Sequence, residues 1–127
     1  MAAPVDRAHL DRLATRFGAH FLIQLIDLFV AQGRERLEAA ERGVAEGDVT
    51  GIIGAAHALK SSAGNLGAAT LGQYASEIER RGMNGAGIET LTPLVATLSE
   101  AFAAACATLE AARADIARRT APNEPIA

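Results

Sequence analysis

The sequence predicts an all-α fold, an antiparallel up-down four-helix bundle with a short additional helix at the N-terminus. Three observations lead there. Alanine fills 29 of the 127 positions while Val, Ile, Thr and the aromatics are sparse, so summed propensity favours helix over strand. No segment alternates convincingly with period two. Apolar residues instead recur at spacings of three and four, in runs separated by short glycine-containing breaks, and helices joined by short connections pack antiparallel.

The first helix is expected over Val5 to Thr15, carrying Leu10 and Leu13. The second runs from near Gly18 to near Gly47, with Leu22, Ile26, Phe29, Gly33, Leu37, Ala40 and Val44 as its core stripe. Phe21, Leu25 and Leu28 form a further apolar strip about 60° to 120° round that helix. One neighbour cannot cover both. Either the first helix covers the strip or part of it stays exposed as a partner-docking patch, and both can hold at different ends.

Gly47-Asp48 breaks the pattern and offers Asp48 as the N-cap of a third helix, Val49 to about Gly64 or Leu66. A shorter fourth helix carries Leu71, Tyr74, Ala75 and Ile78, and the run Gly82 to Gly87 is expected to end it as a flexible turn. The fifth has the clearest seam: Ile88, Leu91, Val95, Leu98, Phe102, Ala105, Leu109, Ala112 and Ile116. It starts near Gly87, or at Thr92-Pro93 if these serve as N-cap and first helical position, and ends near Arg119. Arg113, Arg118 and Arg119 suit the negative end of its dipole. The chain thus reads as one domain over 1–119. The tail 120–127, with Pro122 and Pro125, is expected to fray.

Charge is mixed and slightly acidic, 12 basic against 15 acidic side chains, with no basic run, which argues against nucleic acid and anionic membranes as partners. The most apolar stretch, Phe21 to Ala31, is interrupted by Gln24 and Asp27, and nothing approaches the ~20 uninterrupted apolar residues of a membrane span. Asp6, Arg7, Asp11 and Arg12 occupy the place of a signal peptide's apolar region. Cys106 is alone and reads as a small packing residue. A cytoplasmic monomer is the expectation. His9, His20 and His57 form no ligand-spaced pair, so no metal and no cofactor of its own is expected.

The chemistry concentrates on the third helix. With Ile52 at zero on a helical wheel, Ala56, Leu59, Ala63 and Leu66 fall within about 40° of it, whereas Lys60 lies at about 80°, Gly64 at 120°, His57 at 140°, Ser61 at 180° and Gly54 at 200°. His57 therefore faces solvent, flanked by Gly54, Ser61 and Gly64. A glycine inside a helix costs about 1 kcal/mol relative to alanine, so two beside one histidine in an alanine-rich chain call for a reason. They clear the surface for a phosphoryl group with a protein behind it, unless they mark a helix end or a close crossing. Lys60 is the one lysine among 11 arginines. Its compact ammonium on a flexible stem can follow a phosphate.

From Ala56 to Ala68 the sequence reads Ala-His-Ala-Leu-Lys-Ser-Ser-Ala-Gly-Asn-Leu-Gly-Ala, which resembles the signature of histidine phosphotransfer (HPt) domains. Leu71, Ala75, Ile78 and Glu79 match the apolar and acidic pattern that follows it, and the likeness extends over about Phe17 to Phe102. The resemblance implies that His57 is phosphorylated, that Lys60 assists electrostatically, that Ser61 and Gly64 clear space, and that Gly67 shapes the helix end. Ser61 departs from the glycine often found there; it keeps the clearance and adds a hydrogen-bond donor. Phe21, Leu25, Leu28, Ile53 and Gly54 are the candidate partner-docking residues.

The function implied is a phosphorelay intermediate that accepts phosphoryl on His57 from a receiver aspartate of a hybrid sensor kinase and passes it to a response-regulator aspartate. Mg²⁺ would be the receiver partner's. The phosphoacceptor domain of a sensor kinase is the nearest rival, but Ala58 stands where that family has an acid, and no Gly-rich phosphate loop occurs, so no ATP-dependent kinase activity is expected. The remaining alternative is a non-phosphorylated helical adaptor for receiver or kinase domains.

Overall fold

The seam of the last helix is buried: Leu91, Val95, Leu98, Phe102, Ala105, Leu109, Ala112 and Ile116 all face inward, with Ile88 half-buried at its start. A computed structural model describes residues 3–120. Among them are five helices, α1 (Arg7–Phe17), α2 (Ala19–Glu46), α3 (Val49–Leu66), α4 (Ala69–Met83) and α5 (Ile88–Thr120), and no strand. Helices α2 to α5 close a ring in which α2 packs on α3, α3 on α4, α4 on α5 and α5 on α2, while α1 lies against α2. The four-helix bundle with an extra N-terminal helix is therefore the architecture. Thr120 is the last helical residue, and 121–127 lies outside the described residues.

The breaks around α3 fix where its face points. Gly47 and Gly67 end α2 and α3 in the left-handed region, at φ 70° and 71°, which glycine enters without a Cβ penalty. Asp48 caps α3 as expected, its Oδ1 accepting from the Gly51 N–H at 2.9 Å. At the other end, α1 is strapped to the end of α3. Asp6 N–H donates to the Gly67 carbonyl at 3.0 Å, and His9 Nε2 lies 3.0 Å from the Asn65 carbonyl. His9 thus ties α1 to the end of α3. Asp6 also caps α1, which is why that helix spans Arg7–Phe17 and not Val5 to Thr15.

Other expectations are corrected. Gly82 does not break α4: it is a buried helical residue, and a Cβ there would lie 2.5 Å from Ile53 Cγ1, so its lack of a side chain serves close packing. The turn is confined to residues 84–87. α5 begins at Ile88, so Thr92 is no N-cap; its Oγ1 donates to the Ile88 carbonyl at 2.7 Å, and Pro93 sits inside the helix. On α2, Gly43 is buried and Val44 only half-buried. The stretch that comes nearest to a membrane span is nevertheless another: Ile88–Arg119 in α5 is long and apolar enough, by length and composition, to cross a membrane. Much of that apolarity is alanine, and its large side chains line the bundle seam.

Gly33 in α2 and Phe102 in α5 meet face to face. A Cβ on Gly33 would come within 2.8 Å of Phe102 Cζ, and the Phe102 ring also packs on Phe29, with centroids 5.8 Å apart. On the outside of the same helix pair, Arg113 forks onto Asp27 through Nε at 2.6 Å and Nη2 at 2.9 Å.

Candidate functional site

His57 projects from the middle of α3 with 63% of its side chain exposed. Its ring is not free to spin. Nδ1 lies 2.5 Å from Oε2 of Glu79 on α4, and Lys60 Nζ donates to Oε1 of the same carboxylate at 2.5 Å. One carboxylate thus engages two neighbours of α3, one on each oxygen. The Glu79 side chain is 15% exposed, so the link is shielded on one side while the imidazole remains open on the other.

The bond from Lys60, then that from His57, holds the Glu79 carboxyl below its ordinary pKa against the opposing effect of burial. An ionised carboxylate can only accept. Nδ1 therefore donates in this contact, and in the neutral ring the lone pair is on Nε2. Lys60 is 40% exposed and neutralises Glu79 while retaining two further N–H donors.

The surroundings of the ring are bare. An added Cβ at Gly54 or Gly64 would meet nothing within 4 Å, so neither glycine is required by a helix crossing. Ser61 is exposed one turn beyond His57, and Gly67 closes the helix. His57, Lys60, Ser61, Gly54 and Gly64 therefore share one stretch of α3 surface.

The apolar strip is elsewhere. α2 and α3 run antiparallel from the Gly47 turn, so Leu28 lies about 14 Å further along the bundle axis than His57 at 1.5 Å per residue. Phe21 and Leu28 are 43% and 51% exposed, Leu25 is half-buried, and α1 covers only the near end, where Phe17 packs on Phe21 with centroids 5.1 Å apart. Ile53 is half-buried with Cγ1 and Cδ1 against Gly82, so its side chain packs α3 on α4 instead of facing a partner. Cys106 is buried, and desolvation raises its thiol pKa to about 11, which leaves it an unreactive packing group.

Glu79 is the residue that sequence reasoning did not bring to the site; the motif pattern contained it without a role. A signal was present. With α3 and α4 antiparallel about Gly67-Ala68, His57 and Glu79 stand at nearly equal distances from the turn.

A bundle that presents one histidine, oriented at one ring nitrogen and open at the other beside bare glycines, belongs to the class of helical phosphoryl carriers by its layout. The family model described as Hpt domain matches residues 24–112, more than half of the chain, and the chain belongs to the Hpt domain family. Membership carries a phosphotransfer role in two-component phosphorelays and interaction with receiver domains. Histidine-containing phosphotransfer protein B (HptB) from Pseudomonas aeruginosa PAO1 is similar in structure, with 25% identity, a TM-score of 0.79 and alignment over 91% of this chain and 98% of that one. The HPT domain from a sensor hybrid histidine kinase of Shewanella shares the fold at 14% identity, with a TM-score of 0.75 over 89% and 96% of the two chains. No curated protein matches the sequence.

Proposed function

We propose that this chain carries a phosphoryl group on Nε2 of His57, taking it from a receiver aspartate of a hybrid sensor kinase and handing it to the aspartate of a response regulator. The observation that carries this reading is the Glu79 contact at Nδ1, which leaves Nε2 as the exposed nucleophilic nitrogen. The Nε2 lone pair attacks phosphorus in line with the P–O bond to the receiver aspartate. The N–P bond forms as the P–O bond breaks, and the aspartate leaves as its carboxylate with the bonding pair. The imidazole retains its Nδ1 hydrogen and gains positive charge, which the Glu79 carboxylate faces.

No base is needed, because no proton moves before the attack. Positioning and charge stabilisation are the main demands of phosphoryl transfer. His57 fixed at Nδ1 supplies the first, and the Lys60 ammonium with the receiver's own Mg²⁺ supplies the second. Gly54, Ser61 and Gly64 admit the receiver, while Phe21, Leu25 and Leu28 give it an apolar footing further along α2. The carrier is a cytoplasmic monomer in this reading, working where ATP-driven kinases charge receivers.

The test is His57→Gln. The bundle should keep its helicity and melting temperature, since the side chain lies outside the core, and should take no phosphate from a charged receiver. On the native chain the label should be lost in mild acid, as from a phosphoramidate. Undiminished labelling of His57→Gln overturns the assignment.

A further inference from the structure

Ser61 stands one helical turn beyond His57 on the exposed face of α3. Residues four apart have Cβ atoms about 5–6 Å from each other, and side chains on a helix lean towards its N-terminus. The Ser61 Cβ therefore leans towards the turn that carries His57. Its neighbour Ser62 donates to the Ala58 carbonyl at 3.1 Å, a common use of serine inside a helix. Ser61 Oγ has no such partner among the described residues.

The two sides of the imidazole differ. On the helical wheel Lys60, His57 and Ser61 follow at about 80°, 140° and 180°. Lys60 and Glu79 occupy the α4 side, where Nδ1 is held. Nε2 is the ring nitrogen that Glu79 does not hold, and Ser61 stands on the flank of His57 away from Lys60.

We infer that Ser61 Oγ donates a hydrogen bond to the phosphoryl group on His57 Nε2 and so sets how far the phosphoryl equilibrium lies towards this chain. The inference rests on His57 as the carrier. In the exchange it acts on, the P–O bond to the receiver aspartate breaks as the N–P bond forms and the aspartate leaves as a carboxylate; Ser61 keeps its proton and only shares it with a phosphoryl oxygen.

Clearance and hydrogen bonding make different predictions for this residue. A side chain that only leaves room alters the approach of the receiver, so forward and reverse transfer change by the same factor and the equilibrium stays put. A bond to the bound phosphoryl moves the equilibrium itself.

The experiment uses a receiver domain charged with radiolabelled phosphate in the presence of Mg²⁺, mixed with native chain, Ser61→Ala, Ser61→Gly or Ser61→Thr. The label on each partner is read at equilibrium, and both transfer rates by rapid quench. Ser61→Ala and Ser61→Gly should move the distribution towards the receiver by about five- to tenfold, the scale of one solvent-exposed hydrogen bond. Ser61→Thr should stay within about twofold of native, with helicity unchanged in all. Equal distributions in the four proteins overturn the inference, whether the rates change together or not at all. If the native chain takes no label, the carrier reading fails first, and that outcome is separate from the others.

Discussion

Gly82 of α4 is buried against Ile53 of α3, and replacing it with alanine tests whether the spacing of these two helices sets the geometry at His57. The added Cβ would lie 2.5 Å from Ile53 Cγ1 and 2.8 Å from Cδ1, against about 3.5–4.0 Å for a relaxed carbon pair. The helices must part by roughly 1 Å, or Ile53 must leave the χ1 well that a β-branched side chain holds strongly in a helix. Overpacking of this kind costs about 1–3 kcal/mol, and replacing glycine in a helix returns about 1 kcal/mol, so Gly82→Ala should lose about 0–2 kcal/mol. The larger effect falls on chemistry. Glu79 is three residues earlier on the same helix, and its two 2.5 Å bonds lengthen when α4 moves out. A misplacement of about 1 Å at a reacting group costs up to about a hundredfold in rate. Thermal denaturation beside rapid-quench transfer from a charged receiver separates the two effects. The double variant Ile53→Ala/Gly82→Ala removes the clash and should recover much of the rate, although the first change costs stability of its own. A Gly82→Ala protein with full transfer rate and an unchanged or raised Tm would refute the reasoning.

Gly64→Leu should gain up to about 1 kcal/mol of helix stability and transfer more slowly, because its side chain would project into space now open beside His57; unchanged rate and receiver binding would make the glycine incidental. Lys60→Ala should leave the bundle folded, because Lys60 lies outside the core, though it loses the ion pair with Glu79, and should slow transfer more than it weakens binding of the unphosphorylated receiver. Lys60→Arg should restore part of the rate, and equal losses in rate and binding would mark Lys60 as a docking residue. The Glu79 carboxyl, held below its ordinary pKa first by Lys60 and then by His57, contributes stability that is present above about pH 4.3, the unfolded glutamate value, and is lost as pH falls through the lower folded value. Glu79→Gln should therefore flatten the acid side of the stability profile measured by denaturant unfolding; a profile identical to native would contradict the ion pair.

The fold was legible because alanine and apolar spacing agree along nearly the whole chain, and the cap read at Asp48 lies where chemistry requires it. Positions misread were those at which one residue type serves two purposes. Glycine at 82 looks like a helix end but serves close packing, and Pro93 looks like a helix start but is tolerated in the second turn of α5. At the site, a wheel suffices to turn His57, Ser61 and Gly64 outward, since all share one helix. Glu79 depends on the register between α3 and α4, which no periodicity within either helix contains. The fate of Ile53 depends on the same register.

The contact between Gly33 and Phe102 binds together two positions far apart in the chain. Each fills volume that the other leaves. A lineage that gains any side chain at 33 must give up the phenyl ring at 102, by way of a smaller residue there, or open the α2–α5 interface on which Asp27 and Arg113 also close. Among relatives the two positions should therefore vary as a pair, small with large. Grafting α5 onto another bundle of this kind would succeed only where the receiving α2 has the matching notch.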